Sequence, residues 1–202
     1  MTPNARRIAA GIAALAAAIT LTSCGTAAEE DHAAHGSVAA SATAGPHDAD
    51  DAMFGQLMIP HHQQALELAA LVPDHSADPA LVKLAAAITA AQQPEIDTMK
   101  SLLKTWGVNP DDASHESGHA GIAMQGMVSD ETMLKLEALR GTDFDRLWLT
   151  SMISHHRGAI AMAKSEIADG KNPDMIALAR GIVSSQQAEI DQMTTMMSGS
   201  GG

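Results

Sequence analysis

Cysteine and aromatic residues are almost absent from this sequence of 202 residues. Cys24 is the only cysteine, so the chain can form neither an internal disulfide bond nor a metal site built from several thiolates. There is no tyrosine, and two Phe and two Trp are the whole aromatic complement. Alternating runs of β-branched residues are missing too, which argues against a sheet. What remains is rich in Ala, Leu, Met, Gln and Glu, and these residues favour helices.

Basic residues are also scarce. The chain has 12 Lys and Arg against 24 Asp and Glu, a formal net charge of −12. Arg6 and Arg7 lie in the N-terminal segment, and the rest of the chain has 10 basic and 24 acidic residues, or about −14. Such a surface repels nucleic acid and anionic lipid, so we expect no nucleic-acid partner. The charge gives no indication of a protein partner.

Residues 1–24 have the pattern of an export signal. A short basic segment precedes an apolar stretch, residues 8–21, that is too short for a confident membrane span. Leu21-Thr22-Ser23-Cys24 then resembles a bacterial lipobox, which predicts a lipoprotein anchored outside the cell membrane through Cys24. The alternative is an ordinary secretory signal with an incidental cysteine. Residues 25–50 lack periodicity and predict a flexible linker.

One pattern occurs twice in the remainder, 94 positions apart. Met58-Ile59-Pro60-His61-His62-Gln63-Gln64-Ala65 returns as Met152-Ile153-Ser154-His155-His156-Arg157-Gly158-Ala159. The segment from Gln92 to Met99 likewise returns as the segment from Gln186 to Met193. Residues 51–103 align on 145–197 without a gap, with 17 identities in 53 positions. This register indicates a duplicated fold unit.

Each repeat divides into two helices. Asp78-Pro79 and Asn172-Pro173 occupy equivalent positions and are typical of a helix cap followed by the first helical residue. A shorter helix is predicted from Ser129 to Leu139. The sequence therefore predicts an all-α four-helix bundle with approximate two-fold symmetry. It is built from two duplicated hairpins, 51–105 and 143–198, joined by a crossover at 106–142. The long helices are expected near 51–72, 79–105, 143–168 and 173–197.

The residues kept in register include metal ligands. Met58, His61 and His62 share one helix face, and Gln92, Glu95 and Met99 share a face of the next helix. The candidate ligands of the two repeats are His61, His62, His155, His156, Met58, Met152, Glu95, Glu189, Met99 and Met193. Alternatives remain, because buried Met is usually core filler, and a Glu can fix a His tautomer or lie exposed. We expect Gln92 and Gln186 to hydrogen-bond across their hairpins, and Asp51 and Asp145 to cap helices.

Ligand chemistry narrows the metal. Imidazole suits several transition metals, and thioether is a soft ligand that favours copper, Cu(I) in particular. A di-iron site needs Glu-x-x-His motifs, which this chain lacks. Structural zinc normally requires Cys or a tight His cluster. Copper is thus the predicted metal, while another transition metal or a non-covalent haem held by Met and His remains an alternative.

The paired motifs, together with Gly141-Thr142-Asp143-Phe144-Asp145 before the second His pair, resemble domain of unknown function family 305. The resemblance extends over residues 50–198. It implies a secreted or lipid-anchored bacterial protein with a ferritin-like four-helix bundle, and some members are associated with copper binding and resistance. On this chain the family motif marks the four histidines together with Met58 and Met152.

From these observations we expect a lipid-anchored, extracytoplasmic protein that binds copper and sequesters or transfers it. The alternative is a structural or protein-interaction bundle in which the His pairs make interhelical hydrogen bonds. We do not expect an enzyme, because the sequence shows no nucleophile–base constellation, phosphate-binding loop or acid pair.

Overall fold

The computed structural model describes residues 45–111 and 125–199, and all regular structure in these two ranges is helical. Four long helices and one short helix follow one another along the chain. They are α1 (Ala49–His75), α2 (Pro79–Thr105), α3 (Asp130–Ala138), α4 (Gly141–Asp169) and α5 (Pro173–Gly199). None of these helices is both long enough and apolar enough to cross a membrane. Cys24 and most of the predicted linker lie outside the described residues.

The second helix of each hairpin begins where the sequence predicts. Asp78 Oδ1 accepts a hydrogen bond from the backbone N–H of Ala80, and Asn172 Oδ1 accepts from those of Asp174 and Met175. Pro79 and Pro173 are the first residues of α2 and α5. These caps and prolines confirm the internal division of both repeats.

Two predictions about helix starts need correction. Helix α1 begins before residue 51, because Asp48 is its N-cap and forms a capping box with Asp51. The predicted linker, residues 25–50, is therefore too long at its C-terminal end. Asp145 does not cap α4, since this helix starts at Gly141 after Arg140 and has no side-chain cap. Gly141 takes a left-handed φ of 61°, and this conformation turns the chain into α4.

The long helices form the predicted four-helix bundle. Helix α1 packs on α2 and α4 packs on α5, which are the two hairpins. The hairpins meet mainly through α1 and α4, whereas contacts between α2 and α5 are few. The short helix α3 lies against α1 and α4, the two central helices of the bundle. The fold class is confirmed as an all-α bundle of two joined hairpins.

The core consists of two hydrophobic clusters related by the sequence duplication. One cluster combines Ala65, Leu81, Ala85 and Ile88 of the first repeat with Met152, Ile190 and Met193 of the second. The other combines Ala159, Met175, Ala179 and Ile182 of the second repeat with Met58, Ile96 and Met99 of the first. Each of these residues lies 94 positions from its counterpart in the other cluster. This exchange is the expected approximate two-fold symmetry.

A carboxylate bridge joins the start of α1 to the turn between α4 and α5. Asp51 accepts hydrogen bonds from the backbone N–H groups of Lys171 and Asn172, at 2.8–3.2 Å, and of Asp48, at 2.7 Å. Burial alone would raise the pKa of Asp51, but these bonds outweigh burial and lower it. Burial, followed by the adjacent Asp51 side chain, raises the pKa of Glu166 to about 8.

The raised pKa of Glu166 predicts that the stability of the protein depends on pH. Glu166 is 2% exposed and keeps its proton in the folded state between the ordinary pKa of 4.5 and about 8. The free energy of unfolding should therefore fall as pH rises through that window. Glu166→Gln should remove this slope and raise the melting temperature above pH 8, at roughly 2–4 °C for each kcal/mol. Thermal melts across the window test the prediction.

Glu67→Gln is the matched control, because Glu67 lies on the exposed face of α1. It should leave the wild-type slope in place. If Glu166→Gln keeps that slope, Glu166 is not the group that holds the proton.

Candidate metal centre

The two His pairs lie inside the bundle on its two central helices. His61 and His62 project from α1, and His155 and His156 from α4, and all four are completely buried. The rings of His61 and His155 contact each other across the two hairpins, with centroids 3.8 Å apart and planes 40° apart. The sequence predicts one such pair in each repeat, and the structure brings the two pairs together.

The second histidine of each pair is hydrogen-bonded within its own hairpin. His62 Nε2 lies 2.8 Å from Glu95 Oε2, and His156 Nε2 lies 2.6 Å from Glu189 Oε2. A carboxylate oxygen accepts, so each Nε2 carries a hydrogen, and in the neutral ring each Nδ1 keeps its lone pair. Glu95 and Glu189 thus act as partners that fix a tautomer, one of the roles that the sequence left open.

The first histidine of each pair has a different environment. His61 Nε2 lies 3.4 Å from the carbonyl oxygen of Gln125, a long hydrogen bond. His155 has no hydrogen-bond partner for either ring nitrogen within the described residues. The Nδ1 atoms of His61, His62 and His156 are also without one there. Five buried imidazole nitrogens are therefore unpaired, and buried polar atoms normally find partners.

Two glutamines add further unpaired groups. Gln92 and Gln186 are 1% exposed, and neither the Oε1 nor the Nε2 atom of either residue meets a partner in the described part of the chain. The expected hydrogen bonds across each hairpin are therefore absent. Gln92 lies one helical turn before Glu95, the partner of His62, and Gln186 has the same relation to Glu189. These glutamines are not among the candidate ligands predicted from the sequence, although they recur in register with Glu95 and Glu189.

Burial keeps the central histidines neutral. Desolvation, followed by the nearby His62, lowers the pKa of His61 to about 3. Desolvation, followed by His61 and the other two histidines, lowers the pKa of His155 well below 6.5. Neutral imidazole is the form that binds metal, so these two rings can act as ligands at neutral pH without first losing a proton.

The four predicted methionine ligands lie in the apolar clusters. Met58 and Met99 pack in one cluster, and Met152 and Met193 pack in the other. All four are completely buried. Met58 and Met152 lie three residues before the first histidine of each pair, hence on the same helix face. Their packing matches the core-filler alternative and keeps a thioether one turn from each His pair.

The side chains of this centre are of the types that bind transition metals, but they do not form a complete coordination site. Within residues 45–111 and 125–199, no group of three or more His, Cys, Asp or Glu side chains is arranged to hold a metal ion. The unpaired Nδ1 atoms nevertheless suit copper and similar metals. The residues that would hold such an ion are the four histidines, with Glu95 and Glu189 behind His62 and His156.

The protein is thus a helical bundle of two duplicated hairpins. Its centre is polar, because it contains the buried histidine and glutamine side chains. The chain belongs to the family described as Domain of unknown function (DUF305), which matches residues 51–197. A DUF305 protein from Streptomyces coelicolor is similar in structure, with a TM-score of 0.71 and 33% identity over 76% of this chain and 94% of that one. No curated protein matches the chain.

Two further solved structures are similar. A DUF305 fragment from Deinococcus radiodurans has a TM-score of 0.67 and 31% identity, over 76% of this chain and 98% of the fragment. CopM in its Cu(I)-bound form has a TM-score of 0.63 and 31% identity, over 75% of this chain and 98% of CopM. CopM is also known in Cu(II)-bound, silver-bound and apo forms.

The unpaired nitrogens of His155 predict an unusual effect on stability. Replacing His155 by leucine removes two buried polar atoms that lack partners and keeps a similar volume. The metal-free variant should be more stable than wild type, by about 1–3 kcal/mol. Urea unfolding in the presence of a chelator measures this difference. His62→Leu is the control, and it should destabilise because it removes the partner of Glu95. A destabilised His155→Leu would contradict the unpaired state of this ring.

Proposed function

We propose that this protein binds copper outside the cell membrane and sequesters it or passes it on, through the four buried histidines. The observation that carries the proposal is the set of five buried, unpaired imidazole nitrogens on the two His pairs, in which Glu95 and Glu189 hold His62 and His156. A bound metal ion would be a partner for those of the nitrogens that have a lone pair. The likeness to CopM, which has been solved with Cu(I), Cu(II) and silver, supports the choice of metal.

The alternative is a structural or protein-interaction bundle. It draws on a specific observation, since the His62–Glu95 and His156–Glu189 pairs are interhelical hydrogen bonds. It gives no role, however, to the ring nitrogens of His155 or to the Nδ1 atoms of the other three histidines. We therefore favour metal binding over a purely structural role, and binding over catalysis.

Metal titration of the folded domain tests the proposal. Wild type should bind Cu(I) in competition with a chromophoric chelator and melt at a higher temperature with metal. Ligand at 100 times its Kd stabilises a protein by about 2.7 kcal/mol. The variant with His61, His62, His155 and His156 all changed to Ala should lose both effects, with circular dichroism as the check that it folds.

Should the four alanines prevent folding, the double variant His61→Leu with His155→Leu retains both His–Glu pairs and should still lose most of the copper. A variant with His47 and His75 changed to Ala is the matched control, because both lie in the described domain and neither belongs to the two pairs. Equal copper uptake by wild type and a folded variant without the central histidines would overturn the assignment.

We also propose that Cys24 carries the lipid anchor. Cys24→Ser should move the protein from the membrane fraction to the soluble extracytoplasmic fraction on cell fractionation. Ser23→Ala is the control, since alanine is accepted before a lipobox cysteine. Retention of the Cys24→Ser protein in the membrane fraction would exclude lipidation at this residue.

A further inference from the structure

A short segment between the two hairpins lies over the centre of the bundle. This segment, Gln125–Val128, leads into the N-cap of α3 at Ser129 and is called the strap here. The side chain of Gln64 on α1 holds its end with two hydrogen bonds. Gln64 Nε2 donates to the carbonyl oxygen of Val128 at 2.8 Å, and the N–H of Val128 donates to Gln64 Oε1 at 2.7 Å. The carboxamide thus pairs with the main chain as a neighbouring strand would.

The other side of the strap rests directly on the backbone of α4. A Cβ atom at Gly158 would overlap the carbonyl group of Gln125. A Cβ atom at Gly126 would lie 2.5 Å from the carbonyl oxygen of Ser154, and Gly126 takes a left-handed φ of 84°. The two glycines therefore allow a backbone-to-backbone approach that no side chain would permit.

The two residues that contact the strap from its two sides are equivalent in the duplicated sequence. Gln64 and Gly158 are 94 residues apart, so they are equivalents in the two repeats. One supplies the carboxamide that binds the strap, and the other supplies the space in which it lies. The two copies differ here in a way that accommodates a single strap.

The strap gives the two central histidines different surroundings. The carbonyl oxygen of Gln125 lies 3.4 Å from His61 Nε2. A carbonyl oxygen only accepts, so it favours the hydrogen on Nε2 and a lone pair on Nδ1. His155, the equivalent residue, has no partner at either nitrogen within the described ranges. The Gln125 carbonyl thus lies beside His61 as the carboxylates of Glu95 and Glu189 lie beside His62 and His156, at a longer distance.

We propose that the strap positions His61 for metal through the Gln125 carbonyl, and that Gln64 is the positioning residue that holds the strap. This inference deepens the proposed function and rests on it for the effect on metal. The tautomer of His61 can be measured without metal. The effect of the strap on the tautomer and its effect on metal affinity can therefore be tested separately. Gln64 touches the strap rather than the metal, and its effect passes through His61.

Long-range 1H–15N NMR of the imidazoles, on metal-free protein at neutral pH, tests the tautomer. Wild-type His61 should carry its hydrogen on Nε2. In Gln64→Ala the strap loses both side-chain hydrogen bonds, and His61 should become a mixture of tautomers. Gln63→Ala is the matched control, because Gln63 is the exposed neighbour of Gln64, and it should leave the wild-type signals unchanged.

Competition titration with Cu(I) then tests the consequence for metal. Loss of groups that orient metal ligands typically weakens binding by 10–100-fold. Gln64→Ala should accordingly bind about ten-fold more weakly than wild type, and Gln63→Ala should match wild type. Gly158→Ala displaces the strap from its other side and should reproduce both effects of Gln64→Ala.

The outcomes separate the two proposals. A pure Nε2–H tautomer of His61 in Gln64→Ala, or an Nδ1–H tautomer in wild type, overturns the positioning role whatever the metal data show. A wild-type protein that takes up no Cu(I) overturns the proposed function, while the NMR result still decides whether the strap sets the tautomer. Equal Cu(I) affinity of Gln64→Ala and wild type contradicts the effect on metal.

Discussion

The bundle depends on a layer of polar side chains held between two hydrophobic clusters. Nine polar atoms of the four histidines, Gln92 and Gln186 are buried without a partner in the described residues. At about 1 kcal/mol each, their combined cost is comparable with the whole net stability of a typical domain, about 5–15 kcal/mol. An interior of this kind becomes more stable when something supplies the missing partners. The unpaired imidazole nitrogens among these polar atoms are of a type that suits a transition metal ion.

The sequence duplication explains the approximate symmetry of this interior. It also shows at which positions the two repeats differ. The two clusters exchange equivalent residues, and the His–Glu pairs are copied with the same geometry. The copies differ where one element serves both halves. Asp51 bridges to the α4–α5 turn, whereas its equivalent Asp145 has a buried Oδ1 without a partner in the described ranges. Gln64 and Gly158 differ for a similar reason, because there is one strap for two repeats.

The sequence predicts the parts of this molecule that depend on local rules. Asp78-Pro79 and Asn172-Pro173 indicate helix starts because caps act over two or three residues. The spacing of Met58, His61 and His62 predicts a shared helix face, because residues three and four apart lie side by side on a helix. The long-range contacts could not be predicted. Asp51 and Asn172 are 121 residues apart, and His61 and Gln125 are 64 apart, so only the folded chain brings them together. The roles of the histidine nitrogens follow from those contacts.

The duplication could build two separate sites or one shared site. Which of these forms depends on the neighbours that the two histidines of each pair face. Adjacent residues on a helix point about 100° apart, so one pair can face two neighbours. His62 and His156 face the second helix of their own hairpins, where Glu95 and Glu189 hold them. His61 and His155 face each other, with ring centroids 3.8 Å apart. The first histidine of each pair therefore belongs to the interface between the hairpins and the second to a single hairpin. Joined through adjacent residues, the two halves form one continuous polar centre.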